Sequence, residues 1–295
     1  MSPIITAEDA HLSVSELLGL LNVHLDDDGN AIAATAAGPV RGRTVVEGTQ
    51  VIGQCLVAVA KRFPDKSIRS AHAVFARPVM AGEPLALNID VISQGRTTAT
   101  AVVTATQQGR RCSVVTILAD HPCADVIRHH MPSPWAIPPA RSHACPIPMR
   151  GRHVRLVDVE DAFSPDEAGP PELMAWVNYD LTPNYDELIK ALILNFTGYL
   201  GIATSMRSHP GIGMAQAHST LTTAPMATTI TFHEPVTCEG WLLYTHESLF
   251  AGAGMSYVRG TVHTEENALV ASFSQEAIIR PMTAQAGATP ERHRF

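Results

Sequence analysis

Few side chains in this sequence of 295 residues are spaced as chemistry requires. Asp26-Asp27-Asp28-Gly29-Asn30 gathers three carboxylates, but a calcium loop spaces its ligands and closes with a distal Glu, so these adjacent acids read as an exposed turn. His129-His130 lies in a Pro-rich loop without a third ligand at useful spacing. The five cysteines (Cys55, Cys112, Cys123, Cys145, Cys238) form no C-x-x-C pair and no Cys/His cluster. Gly211-Ile212-Gly213 with Gln216 is a fragment of a dinucleotide fingerprint, without the third Gly or a following helix. A Gly-x-Ser-x-Gly elbow is also missing. Nothing here calls for a metal, a cofactor or a serine nucleophile, so polar groups presented by a folded pocket must carry any chemistry.

The elements that could build such a pocket are those of an ordinary globular chain, 45% hydrophobic and 17% charged. With a formal charge of −7 and no Lys/Arg cluster, nucleic acid and anionic membrane surfaces are not expected partners. Isolated cysteines, an odd number of them, fit the reduced cytoplasm. The start, Met1-Ser2-Pro3-Ile4, has neither the basic region nor the apolar core of a signal peptide. The longest apolar run, Ala191 to Ala203, contains Asn195 and Thr197 and falls short of the roughly 18–20 residues that span a bilayer. It reads as a buried helix, and no membrane span is expected.

Residues 13 to 22 suggest a Ser-capped helix with Val14, Leu17, Leu18 and Leu21 on one face. Ile32 to Val40 reads as a strand. Gln50 to Phe63 is helical, with Gly48 and Gly53 admitting close neighbours. Ser67 to Val79, Leu85 to Ser93, Thr97 to Thr106 and Cys112 to Ala119 follow as strands joined by tight turns. His121 to Arg150 holds seven of the 21 prolines and reads as a connector lying over the surface. Beyond it come strands near Val154 to Val159 and Leu173 to Leu181, then one helix from Asp186 to Met206 that is apolar nearly all round. Gly211 to Pro225 suggests an additional strand. A final alternating strand runs from Ala268 to Ile279.

That order occurs twice. Phe75-Ala76-Arg77-Pro78-Val79 and Phe232-His233-Glu234-Pro235-Val236 share a Phe-x-x-Pro-Val signature at an offset of 232 − 75 = 157 residues. A helix precedes each copy, and a Gly-bearing turn (Gly82; Gly240) and a strand meander follow. Two units of roughly 120 residues suit two fused copies of a small α+β domain. The expected division is 1–120 for the first domain, 121–150 for the connector, 151–282 for the second domain and 283–295 for a flexible tail.

Several segments resemble the acyl-CoA thioesterase II family, whose fold is the double hotdog, two helix-in-antiparallel-sheet domains joined in one chain. His72-Ala73-Val74-Phe75-Ala76-Arg77-Pro78 is similar to the family's His-x-x-Phe-x-Arg-Pro strand. Gly48-Thr49-Gln50-Val51-Ile52-Gly53-Gln54 is similar to its Gly-Gly-Gln-Val-x-x-Gln helix start. Trp241-Leu242-Leu243-Tyr244 and Ala268-Leu269-Val270-Ala271-Ser272, leading to Gln275, resemble further segments, and the resemblance covers about residues 13 to 281. It implies an acyl-CoA or carrier-bound acyl thioester as substrate, a homodimer, and hydrolysis by an Asp, a Thr or Ser, and a Gln in the second half.

Transferred position by position, the resemblance places Gln275 at the family's Gln, where it would hold the water or the carbonyl. Tyr199 stands where the family has its Asp. The hydroxyl position falls at Pro225, or with a small gap at Thr223. Asn195 shares a helix face with Tyr199 and could orient a water. Thr228, Gln50 and Gln54 are implied in binding substrate. Asp186 and Glu187, the only acids on the helix, lie about 220° and 120° around it from Tyr199 and cannot replace the missing Asp. Glu276 points away from Gln275 across the strand. Thioester hydrolysis is therefore the leading reading. A hotdog adapted to dehydration, isomerisation or cyclisation, or a non-catalytic acyl-binding protein, stands as the alternative.

Overall fold

The structure, a computed structural model, describes residues 12–38, 44–145, 147, 149–235 and 237–282. The expected tail at 283–295, the end of the expected first strand at Pro39 and Val40, and Val236 of the second signature lie outside these residues.

Helix α1 (Val14–Leu21) starts at a capping box. Ser13 Oγ accepts from the Glu16 backbone N–H at 3.2 Å, and the Glu16 carboxylate accepts from the Ser13 N–H at 2.7 Å. Strand β1 is only Ala31–Ala33, shorter than the sequence suggests. Helix α2 (Gly48–Arg62) is buried continuously from Thr49 to Val59. Strands β2 (Ser67–Phe75), β3 (Leu85–Gln94), β4 (Thr98–Gln107) and β5 (Arg110–Asp120) complete the first half. The connector contributes β6 (His143–Ala144), which pairs with β7 (Arg152–Leu156). Next come β8 (Glu172–Tyr179), helices α3 (Asp186–Thr197) and α4 (Gly201–Met206), and strands β9 (Leu221–Phe232), β10 (Leu242–Gly252), β11 (Met255–Thr264) and β12 (Leu269–Pro281).

All twelve strands form one antiparallel sheet in the order β1-β3-β4-β5-β2-β9-β12-β11-β10-β8-β7-β6. The halves join where β2 pairs with β9, and His72 stands opposite Thr229 with its Nδ1 2.7 Å from the Thr hydroxyl. These two residues are 157 apart, so they are the same position in the two copies and mark the local two-fold axis.

Bulges show that the halves share one fold. Arg69 on β2 and Met226 on β9 are extra residues at equivalent places, 157 apart. Ile92 on β3 and Leu249 on β10 form a second pair, again 157 apart. Cys112 on β5 and Val270 on β12 form a third, 158 apart. A bulge leaves one residue unpaired and bends its strand, so three recurrences in register mark a duplicated domain. This is the α+β double hotdog that the resemblance implies.

Helices α2 and α3 pack on each other inside the curve of the sheet. Gly53 permits this, because a Cβ there would meet Leu21 at 2.7 Å and Ala191 at 3.5 Å. Two expectations need correcting. The extra strand at 211–225 is a short 3-10 turn (Met214–Gln216) followed by the first residues of a long β9. The helix from Asp186 to Met206 is broken at 198–200, where Tyr199 N–H bonds Phe196 O and Leu200 adopts φ −26°, ψ −15°. Glycines at 198 and 201 lower the cost of the break. By length and composition this helical run could cross a membrane, but 83% of its apolar 18-residue stretch is buried inside the protein, as expected of a core helix.

The connector crosses the outer face of the second half. Ile137 packs with Val157, Trp176 and Leu243, and its carbonyl accepts from Trp176 Nε1 at 2.8 Å.

Candidate active site

Inward and outward residues alternate along β9 and β12, and register decides which of them meet. Thr228 stands directly opposite Gln275, and both are buried on the inner face. The equivalent pair in the first half is Ala71 opposite Ile117, both buried. The fold alone is thus content with two apolar residues at this place. In the second half it holds Thr228 Oγ1 and Gln275 Oε1, neither with a protein hydrogen-bond partner among the described residues. Gln275 Nε2 reaches only the Gly198 carbonyl, at a long 3.5 Å. Burying such atoms unpaired costs about 1–3 kcal/mol each, which packing does not explain and ligand binding does.

The helix break lies against this pair. A Cβ on Gly201 would collide with Gln275 Oε1, so glycine is what lets the amide lie flat beneath α4. A Cβ on Gly198 would meet Thr49 Cγ2 at 2.7 Å, and Thr49 Oγ1 donates to the Asn195 carbonyl at 3.1 Å. The start of α2 is therefore pressed against the end of α3. Gln50, next along α2, is buried with its Nε2 lacking a protein partner among the described residues.

Other candidates are placed differently. Thr223 is buried but stands opposite Ile279, four residues along β12 from Gln275 and so about 13 Å away in an extended strand. The hydroxyl set beside Gln275 is that of Thr228. Pro225, at the other alternative position, faces Ala277 beside the Met226 bulge, where a missing N–H is tolerated. Gln54 is held at its Nε2, which donates to Leu20 O at 3.0 Å and Ala34 O at 2.7 Å, while its Oε1 has no protein partner among the described residues. Asn195 and Tyr199 do share a face, but it is turned toward Arg152.

Arg152 was not identified from the sequence. It alternates inward with Val154 and Leu156 on β7, and a cation in the apolar register of a strand was the available signal. Its guanidinium lies 4.6 Å from the Tyr199 ring centroid and 5.4 Å from that of Phe196. Nη1 donates to Asn195 Oδ1 at 3.4 Å and Nη2 to Ile147 O at 3.5 Å, while Nε has no protein partner among the described residues. The other groups that feel its charge stay neutral. Burial raises Tyr179 and Tyr244, and it pushes the Cys145 thiol up to about 12 with Asp161 adding to the effect; Arg152 opposes all three shifts.

Two open clefts lie elsewhere. One of about 460 Å³ at the end of the β2–β9 seam contains Arg69, Arg128 and Lys190. These cations are already paired, Arg69 with Asp120 at 2.9 Å, Arg128 with Asp125 at 2.6 Å and Glu234 at 2.7 Å, and Lys190 with Asp186 at 2.8 Å. The other, about 910 Å³, lies on the outer face beneath the connector and includes Thr229, Thr245 and Thr261. Gln275 and Thr228 border neither.

Comparison with known proteins finds matches over most of the chain. The model of the acyl-CoA thioesterase N-terminal domain matches residues 33–121, and that of the C-terminal domain matches 124–279. Acyl-CoA thioesterase 2 of Haemophilus influenzae is 24% identical over 255 residues, covering 80% of this chain and 87% of that protein. The tesB protein of Mycobacterium avium subs paratuberculosis superposes with a TM-score of 0.77 at 18% identity, over 91% of this chain and 100% of the other. A hot dog fold protein of Alicyclobacillus acidocaldarius gives 0.72 at 16% identity, over 90% and 97%. With both domain models matched in order on a duplicated hotdog framework, this chain belongs to the acyl-CoA thioesterase II family.

Proposed function

We propose that this protein hydrolyses acyl-CoA thioesters at the inner face of its second half, with Thr228 and Gln275 binding the attacking water or the thioester carbonyl. The observation that carries this reading is the buried polar pair where the first half has Ala71 and Ile117. Water oxygen attacks the carbonyl carbon, the C–S bond breaks, and the thiolate leaves and takes up the proton that water loses. Amide and hydroxyl dipoles fixed in a dry site favour this step because they need not reorganise as charge develops on the carbonyl oxygen. Glu276, the acid next in sequence, is exposed on the opposite face.

Release of free thiol from a panel of acyl-CoAs, and its loss in Gln275→Ala, is the test. A flat trace at every chain length would refute the proposal. The setting we propose is a cytoplasmic homodimer. Five free cysteines support the compartment, and Val74 and Val114, paired and exposed on the outer face of the first half, support a covered surface there. Light scattering that returned a monomer at micromolar concentration would remove the dimer.

A further inference from the structure

We propose that Arg152 is the recognition group for a carboxylate at the far end of the acyl chain, so that the preferred substrates are thioesters of dicarboxylic acids. This rests on the hydrolytic site proposed above and names what that site selects. A guanidinium carries five donors in a planar fork and is rarely buried without a carboxylate. Arg152 is 6% exposed, and among the described residues it makes no ion pair. Its two hydrogen bonds are to neutral oxygens at 3.4 and 3.5 Å, beyond the roughly 2.7–2.9 Å of charge-assisted bonds. Nε is buried with no protein partner among the described residues. Two aromatic rings hold the group in place without neutralising it. The protein has thus buried a cation whose Nη1 and Nη2 make only long bonds to neutral oxygens and whose Nε is unpartnered among the described residues.

Position identifies the ligand. Arg152 contacts Tyr199, the residue after Gly198, and Gly198 is the backbone that Gln275 touches. The cation therefore lies across the helix break from the reacting pair. The phosphates of a CoA handle carry several charges and remain largely hydrated, whereas a single carboxylate on an otherwise apolar chain suits one enclosed, planar fork. The rings of Phe196 and Tyr199 lie against Arg152 and give it an apolar surround.

The test compares kcat/KM for succinyl-, adipyl- and suberyl-CoA with the length-matched butyryl-, hexanoyl- and octanoyl-CoA. The wild-type protein is expected to favour at least one carboxylated substrate over its neutral partner by about tenfold or more, the discrimination of a site built for that group. Arg152→Gln lowers that ratio about tenfold, and Arg152→Lys, which keeps the charge without the fork, falls between. Equal rates for charged and neutral substrates, or a ratio that Arg152→Gln leaves unchanged, overturns the proposal. If no thioester is cleaved, the hydrolytic reading fails by itself. The carboxylate site is then decided by calorimetry with adipyl-CoA and hexanoyl-CoA, where equal affinity overturns it. Thermal melting separates a structural role: Arg152→Met is expected to melt no lower than the wild type without ligand, and a lower melting temperature with unchanged selectivity overturns the proposal as well.

Discussion

Changing Thr228 to Val and Gln275 to Met keeps the shape of both side chains and removes their polar atoms, bringing the second half close to the apolar pair that the first half carries. Among the described residues Thr228 Oγ1 and Gln275 Oε1 are buried without protein partners, and the single bond from Gln275 Nε2 is 3.5 Å long. Each unpaired group costs about 1–3 kcal/mol, and the bond given up is worth less than the usual ~1 kcal/mol at that distance. The double variant should therefore gain about 2 kcal/mol of stability, or roughly 4–8 °C in Tm. Thioester hydrolysis should drop on the order of 100-fold or more, as it does when a preorganised donor is removed from a carbonyl site. Calorimetric melting and thiol release, measured on one preparation, read the two effects together. A lower Tm with hydrolysis intact would show that the pair is structural and that the active site lies elsewhere.

Gly201→Ala places a methyl on Gln275 Oε1; the amide must swing away, so hydrolysis should fall about tenfold or more while melting changes little, as checked by parallel rate and Tm measurements. His246 is buried against Phe273 with neither ring nitrogen in a well-formed bond, and burial lowers its pKa to about 3 against a smaller pull from the Leu173 backbone. Between pH 6.5 and 3 the unfolded chain binds this proton and the folded protein does not, so stability falls with falling pH, by about 2 kcal/mol at pH 5; denaturant melts of His246→Leu should lack that component. Of the five thiols only Cys123 is exposed, and burial pushes Cys55, Cys145 and Cys238 up to about 12, so Ellman's reagent should find one fast thiol in the native protein and five after denaturation.

Much of the fold is legible in the sequence because duplication doubles every signal. The Phe-x-x-Pro-Val offset of 157 residues is the spacing of His72 from Thr229 and of two of the three bulge pairs. The break at 198–200 is less legible, since Gly198 and Gly201 cost a helix no more than many glycines do and matter only once Thr49 and Gln275 press on them. For the hydroxyl the sequence offers Pro225 or Thr223, whereas the structure sets Thr228 opposite Gln275. Thr223 and Thr228 are both strand threonines, and only the β9–β12 register, shifted by the bulge at Met226, says which one faces Gln275. Gln54 and Gln50 resemble family positions equally well, yet Gln54 Nε2 is held by Leu20 O and Ala34 O while Gln50 Nε2 has no protein partner among the described residues.

Tyr199 and Arg152 make sense as one exchange. An Asp at 199 would lie within the roughly 4–6 Å over which an opposite charge moves a pKa, and the guanidinium would hold its carboxylate ionised and paired. A base so stabilised is a poor proton acceptor, so an Arg here and an Asp there would work against each other. Tyr199 instead offers the cation a ring face, which attracts it without occupying its hydrogen-bonding edge. On the proposed reading, Tyr199 gives Arg152 an aromatic surface at the position where the resemblance implies a carboxylate. On that reading, polarising the thioester falls to the dipoles of Thr228 and Gln275, the pair proposed to act on it.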